Sequence, residues 1–373
     1  MNEKLHELLK VIESKPCVGE GPFGSTERVD AIEEELKTAG SPYHRIKGKK
    51  YYRLFAQKEL EELKTRYSDI VVVSSHADNK QKHSTFEWMD NRNTIRGCCD
   101  NAVTNAVCTD LMIREDLPKN VVFAFTADEE YGSTGAEHVA KKLKEFFDEE
   151  QIRVIVLDVT YGFQEGADFT IENDFIRNTQ YGRDFIDHVC QIANGSEYRW
   201  NFLFSTSENE PGFMSSLTIA SHMGKGLNEY TLAKGPDETE EYSGAGLNTF
   251  SLCLPCSAEG DSAMHSEEGF LISLKTTEHY RDFLKQILEN ANQKPDRSAG
   301  VLPIVKQAAE HIRSTEFGKE YIEELYYEDT SDTIRFKPKK PYFASELRRE
   351  NAQLEKEGFH FYLADYHDDL EEI

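Results

Sequence analysis

His76, Asp100, the adjacent pair Glu129 and Glu130, Asp158 and His265 are residues of the types that bind divalent metals and move protons. Four of them stand just past apolar, strand-like runs. The run 70–75 (IVVVSS) leads into His76, 121–126 (VVFAFT) into Asp128, Glu129 and Glu130, and 152–157 (IRVIVL) into Asp158. A hydrolytic zinc takes imidazole and carboxylate ligands and keeps one position open for water. Two metals roughly 3.5–4 Å apart can share a carboxylate and polarise a carbonyl between them. That chemistry needs one bridging carboxylate, two further ligands for each metal and a carboxylate base, and these side chains supply the set.

Taken singly, each residue has an ordinary explanation. Asp78 follows His76 at i+2, so on an extended segment the two side chains point the same way and the carboxylate can accept the second ring N–H. The ordinary alternative is a strand-end histidine beside a solvated loop aspartate. Asp100, in GCCDNA ahead of a buried helix, reads alone as an N-cap. Glu129 and Glu130 could be a solvated acidic turn. Asp158 closes an almost wholly apolar strand, where an unpartnered carboxylate is costly to bury. His265 lies in AMHSEE, a small polar loop. Together, in this order and at strand ends, they argue for one site, because open α/β sheets gather ligands outside the carboxyl ends of their strands.

The elements that must position these residues alternate. Residues 1–40 predict two helices around a break at 19–24, and 43–57 a polar strand pair. The core strand 70–75 is followed by a polar loop over 77–96 and a buried helix over 101–114. Strand 121–126, helix 136–147, strand 152–157, strand 249–254 and helix 272–290 continue the pattern. The expected fold class is a three-layer α/β/α arrangement around a central, mostly parallel, mixed sheet. The expected boundaries are a catalytic domain over 1–291 and a helical, acidic extension over 292–373 that acts as a cap or an arm to another subunit.

Composition excludes several classes. The net charge is −25, from 68 acidic against 43 basic residues, which repels phosphate backbones and anionic lipid. Nucleic acid and membrane are therefore not expected partners. No apolar run is longer than a strand, and the first ten residues read as an amphipathic helix instead of a signal peptide. Seven cysteines without such a leader fit reduced thiols in the cytoplasm, and the lone CxxC of Cys253 and Cys256 reads as two core thiols.

The segments HAD, GCCDNA, FTADEEYGSTGA, VLDVT and AMHSEEG resemble, in order, the five ligand motifs of the di-zinc exopeptidase clan. That clan includes the bacterial leucyl aminopeptidases, the tetrahedral aminopeptidases, and the dipeptidase and acetylornithine deacetylase families. The resemblance runs from about residue 5 to about 290, with GSTERVDAIEEEL similar to the clan's opening helix. It implies a bridging role for Asp100, His76 and Asp158 on one metal, Glu130 and His265 on the other, Glu129 as general base and Asp78 orienting His76. It implies two zinc ions per chain, with cobalt or manganese as alternatives.

Spacing sorts the families. Only 23 residues separate His76 from Asp100, and 106 separate Asp158 from His265, which fits a single-domain aminopeptidase-like enzyme. The resemblance also places Asp237 and Glu238 near the substrate pocket, where they could pair with an α-amino group, and Tyr161 could donate to an oxyanion. The expected substrate is a small peptide or an acyl-amino acid, and a homo-oligomer is compatible. Two alternatives stay open. One is an N-acyl amino acid deacylase or dipeptidase of the same fold. The other is a non-catalytic, metal-stabilised binding protein.

Overall fold

The computed structural model describes residues 3–15, 26–46, 50–79, 86–89, 93–97, 99–161, 167–173, 180–204, 206–207, 210–211, 237–258, 270–291, 311–328, 333–356 and 362–365. Packing divides the chain into two compact units. One comprises Met1–Gly182, Gly195–Phe213 and Tyr230–Gln293. The other comprises Arg183–Asn194, Met214–Glu229 and Lys294–Ile373.

The first unit is built on a mixed sheet. Its strands are β1 (His44–Ile46), β2 (Tyr52–Ala56), β3 (Ile70–His76), β4 (Phe86–Met89), β5 (Thr94–Gly97), β6 (Val121–Thr126), β7 (Ile152–Tyr161), β8 (Phe169–Asn173), β9 (Trp200–Phe204), the short pair β10 (Thr206–Ser207) and β11 (Glu210–Pro211), β12 (Asn248–Ala258) and β13 (Phe270–Ser273). The order across the sheet is β1-β2-β6-β3-β7-β12-β13-β5-β4, with β8 beside β12 and β9 beside β8. The centre, β6-β3-β7-β12, is parallel, and β2, β8 and β13 join antiparallel. Every residue of β3 and β6 is buried, as continuous Val, Ile and Phe runs covered on both faces must be.

Helices cover both faces: α1 (Glu3–Glu13), α2 (Glu27–Ala39), α3 (Leu60–Arg66), α4 (Ala102–Arg114), α5 (Glu129–Gly132), α6 (Thr134–Lys144), α8 (Thr239–Gly244) and α9 (Leu274–Asn290), while α7 (Gln180–Gly195) belongs for most of its length to the second unit. Residues 102–112 of α4 are all buried, so this helix is enclosed all round, not amphipathic. The three-layer α/β expectation holds. The loop expected over 77–96 instead contains the hairpin strands β4 and β5. β4 pairs with β5, and β5 with β13, far away in sequence, and four-residue strands carry too little periodicity to announce themselves.

The turn between β6 and α6 is tight. Asp128 and Ser133 both have positive φ, at 68° and 50°. Gly135 lies so close to the strand end that a Cβ would stand 2.5 Å from the Ala127 oxygen. Glycine there lets α6 dock directly behind the Glu129–Glu130 turn.

The second unit carries a small sheet, β14 (Ile322–Glu328), β15 (Thr333–Pro338) and β16 (Tyr362–Asp365), with α10 (Glu316–Tyr321) and α11 (Ala344–Lys356). The extension expected to be helical is thus part strand. The runs IEELYYE and TIRFKP are rich in β-branched and aromatic residues, which suit a pleated surface. Its core is Ile312, Phe317, Ile322, Phe336, Leu354 and Leu363, with the Phe317 ring edge-on to Phe336 at 5.6 Å. No described helix is long and apolar enough to cross a membrane.

Candidate metal centre

The parallel register brings distant strand ends together. His76 lies beside Thr126 across β3 and β6, and Asp158 beside Cys253 across β7 and β12. His76, Asp100 and Asp158 each offer one ligand atom, all within 4.8 Å of one another. The Nε2 of His76 stands 2.9 Å from Asp100 Oδ1, 3.8 Å from Glu129 Oε2 and 3.9 Å from Asp158 Oδ1. Three carboxylates therefore surround one buried imidazole nitrogen.

The other ring nitrogen fixes the ring's orientation. Nδ1 lies 3.1 Å from the main-chain oxygen of Asp78 and donates to it, which turns Nε2 toward the carboxylates, where a bound cation would take its lone pair in place of a proton. This refines the role expected of Asp78. Its carboxylate is 3.6 Å from Nδ1, while its two oxygens accept from the main-chain N–H groups of Glu129 and Glu130 at 3.3 Å each. Asp78 thus ties the histidine strand to the turn that carries both glutamates.

Asp100 precedes α4, but the helix's N-cap is Asn101, with no side-chain capping bond, so Asp100 is left to face the site. Asn101 donates to Leu157 O at 2.9 Å and to Asp158 Oδ1 at 3.1 Å, orienting the fourth-motif carboxylate. Asn105, one turn on, donates to Ser75 Oγ at 2.6 Å and His76 O at 2.8 Å. The fully buried Arg28 of α2 donates to Ala77 O at 2.9 Å. The sequence reading missed all three. Only the adjacency of Asn101 to Asp100 hinted at any of them.

Glu130 lies next to Glu129 in α5, and its charge helps to raise Glu129, but it is not one of the three residues whose ligand atoms converge. His265 lies outside the described residues. Tyr161 ends β7, and nothing of its side chain is described. Asp237 and Glu238 are brought beneath the site, yet they turn inward. They are 6% and 1% exposed, and their oxygens accept from Thr239, Ser251, Ser74 and Thr126, so neither is presented to a substrate amine.

Electrostatics show what the cluster lacks. Burial, together with Asp158, Asp100 and Glu130, pushes the Glu129 carboxyl up to about 9, although His76 pulls the other way. Burial and Asp100 push Asp158 up to about 6. Burial alone would lower His76, but Glu129, Asp100, Asp158 and Asp78 outweigh it and hold the imidazole well above its ordinary value. Too much negative charge is buried for one imidazole to offset. A buried, convergent imidazole–carboxylate donor set of this kind fits a zinc-type cation, which would return these carboxyls to their ionised forms.

Residues 59–207 match the model of peptidase family M28. That segment holds His76, Asp78, Asp100, Glu129, Glu130 and Asp158. The chain has the fold of the di-zinc exopeptidase clan. Among solved structures it is similar to a TET aminopeptidase from a marine sediment Thaumarchaeota archaeon, with TM-score 0.56 and 13% identity over 78% of this chain and 97% of that one. It is also similar to the TET1 peptidase of Pyrococcus horikoshii, with TM-score 0.50 and 11% identity over 76% of this chain and 99% of that one. No curated protein matches the chain. The M28 segment and the donor set it positions support a metal-dependent hydrolase of peptide bonds.

Proposed function

We propose that the chain is an exopeptidase with two zinc ions per chain, and an aminopeptidase first among the exopeptidases. The observation that carries the proposal is the crowding of Asp100, Asp158 and Glu129 within 3.9 Å of one buried histidine nitrogen. The five ligand motifs, which between them offer donors for two metals, favour more than one divalent cation. Asp100 would bridge, His76 and Asp158 would serve one metal, and Glu130 and His265 the other. Cobalt or manganese could occupy the same oxygen and nitrogen donors.

Zinc, when bound, supplies Lewis acidity for the scissile carbonyl and lowers the pKa of a bound water. The chain's residues do the rest. Glu129, half-buried beside His76, takes the proton of the attacking water on a carboxylate oxygen and returns it to the leaving amine. Its pKa, high in the free cluster, marks an environment in which it can hold that proton. Asp78 keeps the His76 tautomer through its main-chain oxygen and keeps Glu129 in place through its carboxylate.

The TET aminopeptidase likeness supports free-amine peptides as substrates over acylated ones, and the tetrahedral and octahedral assemblies of the TET1 peptidase support a homo-oligomer. The buried thiols of Cys99, Cys108, Cys190, Cys253 and Cys256 support a cytoplasmic setting. We assign the catalytic role to residues 1–291 and treat 292–373 as an appended extension. The test is to quantify zinc per chain and to assay free-amine dipeptides against N-acyl amino acids, with and without chelator. About two zinc ions and chelator-sensitive release from free-amine peptides are expected. Activity confined to acylated substrates would replace aminopeptidase with deacylase.

A further inference from the structure

Directly beneath the candidate site lies a buried carboxyl that takes no part in ligation. Glu238 occupies the N-cap position of α8 but makes no capping bond. Its neighbour Asp237 does the local work instead, accepting from Thr239 N at 2.8 Å and from Ser251 Oγ at 2.5 Å. Glu238 reaches inward. Its Oε2 accepts from Ser74 Oγ at 3.1 Å, and its Oε1 accepts from the Thr126 hydroxyl. Ser74 Oγ is in turn 2.8 Å from the Tyr242 hydroxyl of α8. One carboxyl therefore bonds two neighbouring parallel strands and, through Ser74, its own helix.

The two strand positions matter. Ser74 is two residues before His76 on β3, so both side chains emerge from the same face. Thr126 is the register partner of His76, its carbonyl accepts from Ala77 N at 2.8 Å, and it stands three residues before Glu129. We propose that Glu238 is a positioning residue that clamps the carboxyl ends of β3 and β6 together and so sets the 3.8 Å approach of Glu129 to His76. The proposal rests on the reading of His76 and Glu129 as ligand and base.

Stability is a poor explanation for this carboxyl. Ser74, Thr126, Glu238 and Tyr242 are all buried, and apolar side chains of similar volume at all four positions would fill the space at no greater cost. What a fully bonded polar group adds is a fixed geometry, and it does so at the point where small displacements matter most for catalysis.

The test uses full-length protein loaded with zinc or with cobalt, comparing wild type with Glu238→Leu, Glu238→Gln and Thr126→Val. Glu238→Leu is expected to lower kcat by at least roughly tenfold with KM within about threefold, and to shift the visible absorption of the cobalt form. Glu238→Gln, which keeps an acceptor for Thr126 and a donor for Ser74, should recover most of kcat and the wild-type spectrum. Thr126→Val, which removes one arm, should fall between them. If Glu238→Leu does not fold, the other two variants decide: a kcat and a cobalt spectrum equal to wild type in both would overturn the proposal. So would a folded Glu238→Leu with wild-type kcat and spectrum, whatever its melting temperature. A wild-type protein that cleaves no peptide would sink the functional reading instead, and the cobalt spectra of the variants would still judge the clamp.

Discussion

The catalytic unit holds two buried charge clusters, and they are opposites. Around Arg281 the charges match. Its Nε donates to Asp110 at 2.9 Å, Nη1 to Asp282 at 2.8 Å and Nη2 to Glu115, while Lys285 stands 2.7 Å from Glu115. Burial would raise Glu115, but Lys285 and Arg281 outweigh it and hold it below the usual carboxylate range. Around His76 the balance fails, and Glu129 and Asp158 are pushed up. Both clusters are partly or wholly desolvated, so the sign of the carboxylate shift separates them. Where the chain supplies its own cations the cluster is structural. Where it withholds them it invites one from outside.

That contrast can be broken most sharply at Glu129. Glu129→Gln removes the proton acceptor without changing shape, and kcat should fall by about 10²–10⁴-fold with zinc content unchanged. A near-wild-type kcat would remove Glu129 from the mechanism. At the other cluster, Arg281→Leu leaves the fully buried Asp110 with the longer 3.4 Å contact to Arg114 and should lower unfolding free energy by about 3–5 kcal/mol in urea titrations, with kcat per folded molecule unchanged. A loss of activity without a loss of stability would show that the two clusters are not separate in function.

Asp78→Ala should cost about 10–100-fold in metal affinity or kcat, because it releases the Glu129–Glu130 turn although the main-chain acceptor for His76 remains. If metal affinity and kcat both stay at wild-type values, the carboxylate's bonds to that turn are incidental.

The smallest expected effect is on pH dependence. In metal-free protein Glu129 rises from 4.5 unfolded to about 9 folded, and Asp158 from 3.8 to about 6. Raised pKa values mean that the folded state holds more protons. Stability from these groups is therefore full below their unfolded values and is lost as pH climbs toward about 9. Glu115 is lowered, so its contribution is present above 4.5 and is lost as pH falls through its folded value. Urea midpoints of chelated protein should decline from pH 5 upward, and zinc should abolish the decline. A midpoint that rises across that range without metal would contradict the unbalanced charge at His76.

Much of this was legible in the chain. The runs that became β3, β6 and residues 152–157 of β7 are buried parallel strands, and continuous Val, Ile and Phe report such burial locally. Because a parallel sheet presents its strand ends on one edge, the sequence alone groups His76, Glu129 and Asp158. The four-residue strands β4 and β5 were not legible, since they exist through pairing with each other and with β13.

The clearest division lies within single residues. Residue type and position along a strand marked His76 as a candidate ligand and Glu129 as a candidate base, because those properties belong to the side chain and its local backbone. Residue type could not say which atom of Asp78 meets the imidazole. Nor could it say that Glu238, acidic and next to a glycine-rich stretch, points into the core instead of toward substrate. Those answers depend on Glu129 folding back over 51 residues, and on Ser74 and Thr126 meeting Glu238 across 164 and 112. A hydrogen bond is decided by where its partner stands, and partners that far apart in sequence meet only when the sheet has closed.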